Sequence, residues 1–274
     1  MNTHDQFFPK KSLGQNFLVN PNIVRRIIDA CNLKPTDIIL EIGPGKGALT
    51  RALSGHVKTV IAIEKDRLLA DQLEEDFVNT NVIIIHADIL KYPFNKLPDN
   101  IKIVGNLPYN IATPIIEKVI MHRKKFYAFY MTVQIEYGQR MAAEPNSKSY
   151  GSFSCFVQYY TAPKILFKIK NSAFRPAPKV QSCFLVLDLL KKTQLKASDE
   201  GDLFKVIRAC FGQRRKTIQN SLSSVIPGRT KITQLLAQLN IDPKLRAENL
   251  SLKDYIQIVD VMKQEADSRS KSPC

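Results

Sequence analysis

The chain has 274 residues, 44% of them hydrophobic, enough for one large domain or a large and a small one. Lys and Arg total 40 against 25 acidic residues, and the formal charge of +15 points to a polyanionic partner, either nucleic acid or an anionic membrane surface. No stretch suits a bilayer span, "MNTHDQFFPKKSLGQNF" lacks the apolar core of a signal peptide, the five cysteines include no Cys-x-x-Cys, and the four histidines do not cluster. These features argue against a membrane span, a disulfide scaffold and a zinc site, and for a reduced, cytoplasmic chain.

Residues 1–19 are a basic lead with little periodicity. "NPNIVRRIIDACNL" predicts a helix capped by Asn20, with Pro21 in its first turn and Ile23, Val24, Ile27, Ile28 and Cys31 on one face. "DIILEIG" reads as a strand, "ALTRALSG" as a helix closed by Gly55, "TVIAIE" as a strand and "RLLADQLEEDF" as a helix. "NVIIIHADI" and "IKIVGN" follow as strands, "TPIIEKVIMH" as a helix and "FYAFYMTVQ" as a strand. Short apolar strands alternating with helices predict a parallel sheet covered on both faces. Residues 164–170 and 181–188 read as a closing strand pair, and "NSAFRPAPKVQS" between them is too proline-rich for a central strand. Beyond the polar connector "KKTQLKASDEGD" the pattern is purely helical, with Leu203, Ile207, Cys210, Ile218 and Leu222 on the buried stripe. The expected division is an α/β domain over 1–192, a helical domain over 199–264 and a flexible tail over 265–274.

"EIGPGKGALT" places Gly43, Gly45 and Gly47 between a strand and a helix, where the backbone can turn sharply, approach a ligand and offer free N–H groups. It is neither a Walker loop nor the G-x-G-x-x-G spacing, since Gly follows Lys46 and position 48 is Ala. Glu64 ends the second strand, where a carboxylate can accept both hydroxyls of a ribose. Asp88 ends the third, where one can accept from the amino group of adenine. Three consecutive strand ends so furnished point to an adenosine-containing cofactor, either a nicotinamide dinucleotide or S-adenosylmethionine.

"VGNLPYN", residues 104–110, discriminates between them. The amide of Asn106 is no base, but its oxygen can accept from an amino group. Pro108 restricts the backbone of Leu107, whose carbonyl can serve as a second acceptor, and Tyr109 can stack on a ring. Two acceptors and a stacking face make a seat for the exocyclic nitrogen of a base. They favour the pyramidal nitrogen that an electrophilic methyl could meet in line, by positioning and electrostatics rather than by a general base. Hydride transfer would want a proton-handling residue, and none stands out.

"KKSLGQNFL", "EIGPGKGALT", "IEKD", "NLPYNIATP" and "FRPAPKVQS" occur in the order found in the ribosomal RNA adenine N6-dimethyltransferases, and over residues 8–260 the chain resembles the bacterial small-subunit (16S) branch. The resemblance implies a class I S-adenosylmethionine-dependent methyltransferase fold, Rossmann-like with a mainly parallel seven-stranded sheet, and a small C-terminal all-helical domain that binds RNA. It implies dimethylation of two adjacent adenosines near the 3′ end of that RNA within the assembling 30S particle, and a role in small-subunit biogenesis. By the same resemblance, Asn16 and Leu18 close over the cofactor within a lid formed by residues 1–19. Gly43 lines the methionine end, Asn106 borders the cofactor, and Phe174 stacks on the far face of the target base.

Residues 37–88 carry nine acids, whereas the charged residues of 10–26 and 163–231 are mostly Lys and Arg. Lys10, Lys11, Arg25, Arg175, Lys179, Arg214, Arg215 and Lys216 are accordingly the candidate phosphate contacts, which position RNA without reading its sequence. Neither a metal nor a membrane is expected, and a monomer is. The competing readings are a large-subunit (23S) adenine methyltransferase of the macrolide-resistance type, which shares several motifs but not "FGQRRKTIQNSL", and a non-catalytic ribosome assembly factor.

Overall fold

The computed structural model describes residues 15–109, 111–189 and 196–270. Of the lead expected over 1–19, residues 1–14 lie outside the described residues. Phe17–Leu18 form a short strand, β1, followed by helix α1 (Pro21–Ala30). The Asn20 side chain accepts from the amides of Asn22 and Ile23 at 3.0 and 3.2 Å, as its position before Pro21 predicts. Ile27, Ile28 and Cys31 are buried on the inward face.

Strands β2 (Ile38–Ile42), β3 (Thr59–Glu64), β4 (Val82–His86), β5 (Ile101–Asn106) and β6 (Phe126–Gln134) run parallel. Helices α2 (Ala48–Ser54), α3 (Arg67–Asp76) and α4 (Ala112–Met121) make crossovers between them. After α5 (Ile135–Met141) and α6 (Ser152–Tyr160) come β7 (Ala162–Ile169), the two-residue β8 (Phe174–Arg175) and β9 (Ser182–Asp188). The sheet has seven strands in the order β4-β3-β2-β5-β6-β9-β7, with β9 antiparallel to both neighbours, and is the mainly parallel sheet expected. Chain order reverses at β2, which lies between β3 and β5, so a crevice opens beyond the carboxyl ends of these strands. The register aligns those ends: Ile42 lies beside Ile63 and Gly105, and Glu64 beside His86. Gly43, Glu64, Asp88 and Asn106 therefore reach one rim.

The remaining helices are α7 (Glu200–Gly212), α8 (Ile218–Leu222), α9 (Arg229–Gln238) and α10 (Leu252–Ser270). The chain divides into two units, Met1–Gly138 with Ala162–Lys191 and Gln139–Thr161 with Lys192–Cys274. The helical unit thus begins earlier than expected. Ala143, Tyr150, Cys155 and Tyr159 share a core with Leu203, Ile207, Cys210, Ile218, Leu222 and Tyr255, so residues 139–161 belong with the C-terminal helices. Asp199 caps α7 by accepting from the Asp202 amide at 2.8 Å, and Lys263 lies 3.1 Å from each of these carboxylates. Helix α10 extends through six residues, 265–270, of the segment expected to be a flexible tail. The last four, 271–274, lie outside the described residues.

Candidate active site at the carboxyl edge of the sheet

A cleft of about 1170 Å³, counting its open mouth, lies at that edge, walled by residues of the lead, the glycine loop and the ends of β3, β4 and β5. Gly43 adopts φ +67° with nothing within 4 Å of where a β-carbon would be, so its backbone lies bare to the cleft. Gly45 adopts φ +60°, and a β-carbon there would come 2.9 Å from Cδ1 of Phe17, so the lead packs flat on the loop only because the side chain is absent.

Glu64 anchors this loop. Its Oε2 accepts from the Gly45 amide at 3.1 Å, and its Oε1 from the amides of Lys65 and Asp66, both at 2.8 Å. Burial raises its pKa in spite of these three donors. A carboxylate has about four acceptor positions, so Glu64 keeps capacity for a ligand hydroxyl. Asp88 accepts from the Leu90 amide and from the Lys65 ammonium, both at 2.9 Å. Burial opposes its ionisation, but these two donors outweigh it and hold the pKa below the usual carboxylate range. Behind Asp88, Lys118 on α4 donates to the carbonyls of Ile89, Leu90 and Tyr92 at 2.9, 2.9 and 2.6 Å and clamps the loop that Asp88 opens.

Asn106 ends β5. Its Nδ2 donates to the main-chain carbonyl of Asn16 at 2.8 Å. A carbonyl can only accept, so the amide nitrogen must face the lead and Oδ1 is turned away from it, as an acceptor. The Leu107 amide donates to the carbonyl of Thr132 on β6 at 3.2 Å, and the Pro108 carbonyl accepts from Ile111 at 3.2 Å, closing a tight turn. The half-buried Tyr109 shares a 2.8 Å hydrogen bond with the hydroxyl of Ser182 on β9. Gln15 of the lead donates to Asp66 at 3.3 Å, and Leu18 also lines the cleft.

Asn16, Leu18, Gly43, Gly45, Glu64, Asp88, Asn106, Leu107, Pro108 and Tyr109 thus share one cavity wall. Phe174 does not. It pairs with Leu18 across β8 and β1, and its ring is 0% exposed within the core of the sheet unit. In this structure its ring is therefore buried off the cleft wall, and stacking on the target base is not assigned to Phe174 here. The sequence reading also passed over Glu41. It lines the cleft at 1% exposure, its Oε2 has no hydrogen-bond partner within the protein, and burial raises its pKa to about 8. The signal was there in "IILEI", an acid in the middle of an otherwise apolar strand.

Among the proposed phosphate contacts, Arg25, Arg175, Lys179, Arg215 and Lys216 are exposed, and Lys10 and Lys11 lie outside the described residues. Arg214 is committed elsewhere. It donates to Glu248 at 2.7 and 3.1 Å and to the carbonyls of Lys148 and Tyr150 at 3.3 and 3.4 Å, so it ties the loop after α7 to its surroundings. Among the described residues, no group of three or more His, Cys, Asp or Glu comes together as a metal site, and no helix is long and apolar enough to cross a membrane.

A family model described as ribosomal RNA adenine dimethylase matches residues 7–264. Relatives named ribosomal RNA small subunit methyltransferase A are similar along nearly the whole chain. The protein of Moorella thermoacetica is 42% identical, covering 91% of each chain. That of Anoxybacillus flavithermus is 43% identical, covering 90% of this chain and 88% of its own. Among solved structures, a dimethyladenosine transferase from Plasmodium falciparum superposes with a TM-score of 0.80 at 25% identity, covering 91% of this chain and 98% of its own. The 23S rRNA methyltransferase ErmE gives 0.74 at 23% identity, covering 91% and 100%.

Proposed function

The chain belongs to the ribosomal RNA adenine dimethylase family, and from that premise we propose that it dimethylates the N6 atoms of two adjacent adenosines near the 3′ end of small-subunit (16S) rRNA. The fold is that of the class I methyltransferases, with a helical region at its C-terminal end. The observation that carries the reading is the orientation of Asn106, whose donor is held by Asn16 so that its acceptor is left for an incoming amino group.

The donors and acceptors of the cleft fit S-adenosylmethionine. Glu64 retains acceptor capacity for a ribose hydroxyl, and Asp88 is held ionised as an acceptor for the adenine amino group. Gly43 leaves its backbone bare toward the methionine end, and Glu41, whose Oε2 has no partner within the protein, also lines the cleft. Asn16 and Leu18 lie across the mouth. When bound, the cofactor supplies an electrophilic methyl group.

The chain's own residues then act by placement. Asn106 Oδ1 and the Leu107 carbonyl accept from the target amino group and draw its lone pair out of conjugation. Tyr109 supports one face of the ring. No basic side chain is needed in the cleft, because the proton leaves the nitrogen for water after transfer. The target base must be unpaired or turned out of its stack to enter. Arg25, Arg175, Lys179, Arg215 and Lys216 are the phosphate contacts of this reading, and the formal charge of +15 supports salt-sensitive binding. We place the protein in the cytoplasm, acting as a monomer on the assembling 30S particle.

Methyl transfer from labelled S-adenosylmethionine to unmethylated small and large ribosomal subunits, with the modified base mapped, tests this. Dimethyladenosine at two adjacent positions of the small-subunit RNA is expected. Label confined to the large subunit would overturn the substrate assignment.

A further inference from the structure

Tyr109 stands on a turn at the sheet edge, and a ring in such a place can rotate about both of its side-chain torsions. Its hydroxyl, however, is held at 2.8 Å by Ser182. Ser182 is 0% exposed and sits in β9 between two ladders, opposite Gln134 of β6 and Ile169 of β7. It is therefore among the more rigidly held points available to the turn. Thr132, two residues before Gln134 on β6, holds the same turn by accepting from the Leu107 amide at 3.2 Å. The ring is thus fixed at both ends, its backbone end by the β5–β6 ladder and its phenol end by β9. Burial raises the pKa of the phenol, so the hydroxyl keeps its proton and the bond stays one between two neutral hydroxyls.

We infer that Ser182 is a positioning residue for methyl transfer: through its hydrogen bond to the Tyr109 hydroxyl it sets the plane on which the target adenine lies. This deepens the proposed function and rests on Tyr109 being the stacking face. Ser182 closes the "FRPAPKVQS" segment, whose aromatic, Phe174, is buried away from the cleft. The contribution of that segment to the base seat is then a serine hydroxyl that never touches the base. A base tilted out of line with the methyl donor loses rate while the cofactor remains fully bound, because Ser182 does not line the cleft wall.

The test is a double-mutant cycle of Ser182→Ala and Tyr109→Phe, with Tyr109→Ala as reference. Three readouts are taken: single-turnover methyl transfer to unmethylated small subunits, S-adenosylhomocysteine affinity by calorimetry, and small-subunit affinity by sedimentation. Each single variant should slow methyl transfer roughly 10- to 100-fold with both affinities unchanged. The double variant should be no slower than either single one, because both remove the same bond. Wild-type rates for Tyr109→Phe and Ser182→Ala, with Tyr109→Ala impaired, would overturn the positioning role while leaving the stacking face intact. A wild-type rate for Tyr109→Ala would overturn the stacking face and this inference with it. Additive losses in the double variant would show that Ser182 acts by another route and would also overturn it. If Ser182→Ala melts early, Tyr109→Phe, which keeps the buried serine, decides alone.

Discussion

Replacing Asn106 by Asp separates the two jobs assigned to this side chain. The carboxylate keeps an acceptor toward the cleft but loses the donor, and sets an oxygen against the Asn16 carbonyl where the amide nitrogen now sits at 2.8 Å. Leaving such a part-buried acceptor unpaired costs about 1–3 kcal/mol. Residues 15–18 are held at the cleft through this bond, through Gln15 on Asp66 and through the two-residue pairing with β8. Most of the loss should therefore appear as weaker cofactor binding, roughly 5- to 150-fold. Asn106→Ala lets water reach the Asn16 carbonyl and should fall at the low end of that range. It removes the acceptor, however, and should slow methyl transfer by about 100- to 1000-fold, the size seen when one preorganised polar group is lost from an active site. Calorimetry with S-adenosylhomocysteine, single-turnover transfer and a melting curve to confirm folding read all three quantities. Wild-type cofactor affinity in Asn106→Asp would refute the link between amide and lead, and full activity in Asn106→Ala would refute the acceptor role.

Glu41 keeps its proton in the folded chain up to about pH 8, against an ordinary value of 4.5. The folded state therefore binds the extra proton, and stability should fall as pH rises through that window and level off above it. Melting temperatures of wild type and Glu41→Gln from pH 5 to 9 check this, and the variant should lack that part of the decline. Lys118→Met should strand the carbonyls of Ile89, Leu90 and Tyr92 and destabilise the fold by about 2–3 kcal/mol, since water reaches part of the loop. A melting temperature within a degree of wild type would contradict this. Arg215→Ala and Lys216→Ala should each reduce the salt dependence of small-subunit binding by about one unit of log–log slope without lowering the melting temperature. Arg214→Ala should do the reverse, because it frees Glu248 and the Lys148 and Tyr150 carbonyls.

Most of the cleft could be read from local pattern because each of its groups ends a strand. Once the strands run parallel, Gly43, Glu64, Asp88 and Asn106 come to one rim whatever the details of packing. The burial of Phe174 is not legible locally, because it depends on contacts with residues far away in sequence, Leu18 among them. Lys118 looks like an ordinary solvent-facing lysine on an amphipathic helix, and its three acceptors lie on the loop after another strand. Arg214 reads as one of three equivalent cations in "RRK" until Glu248 is placed beside it. Residues 139–161 carry an apolar pattern that would suit either core, and only the contacts of Tyr150, Cys155 and Tyr159 decide which.

The divided composition of the helical unit bears on how the chain is made. The sheet has all its strands once Asp188 has been synthesised, but Tyr150, Cys155 and Tyr159 must then wait for partners that end in α10. From Asp188 to Ser270 is 82 residues, about 4–16 s of translation. Helix α6 has α7 to pack on once Gly212 is made, but its core stays incomplete until α10 follows, an exposure that a C-terminal module of one contiguous segment would avoid. A fragment starting at 199 would inherit the complementary defect, a helical core that keeps Tyr255 but lacks Tyr150, Cys155 and Tyr159, and would be a poor stand-in for the unit in isolation.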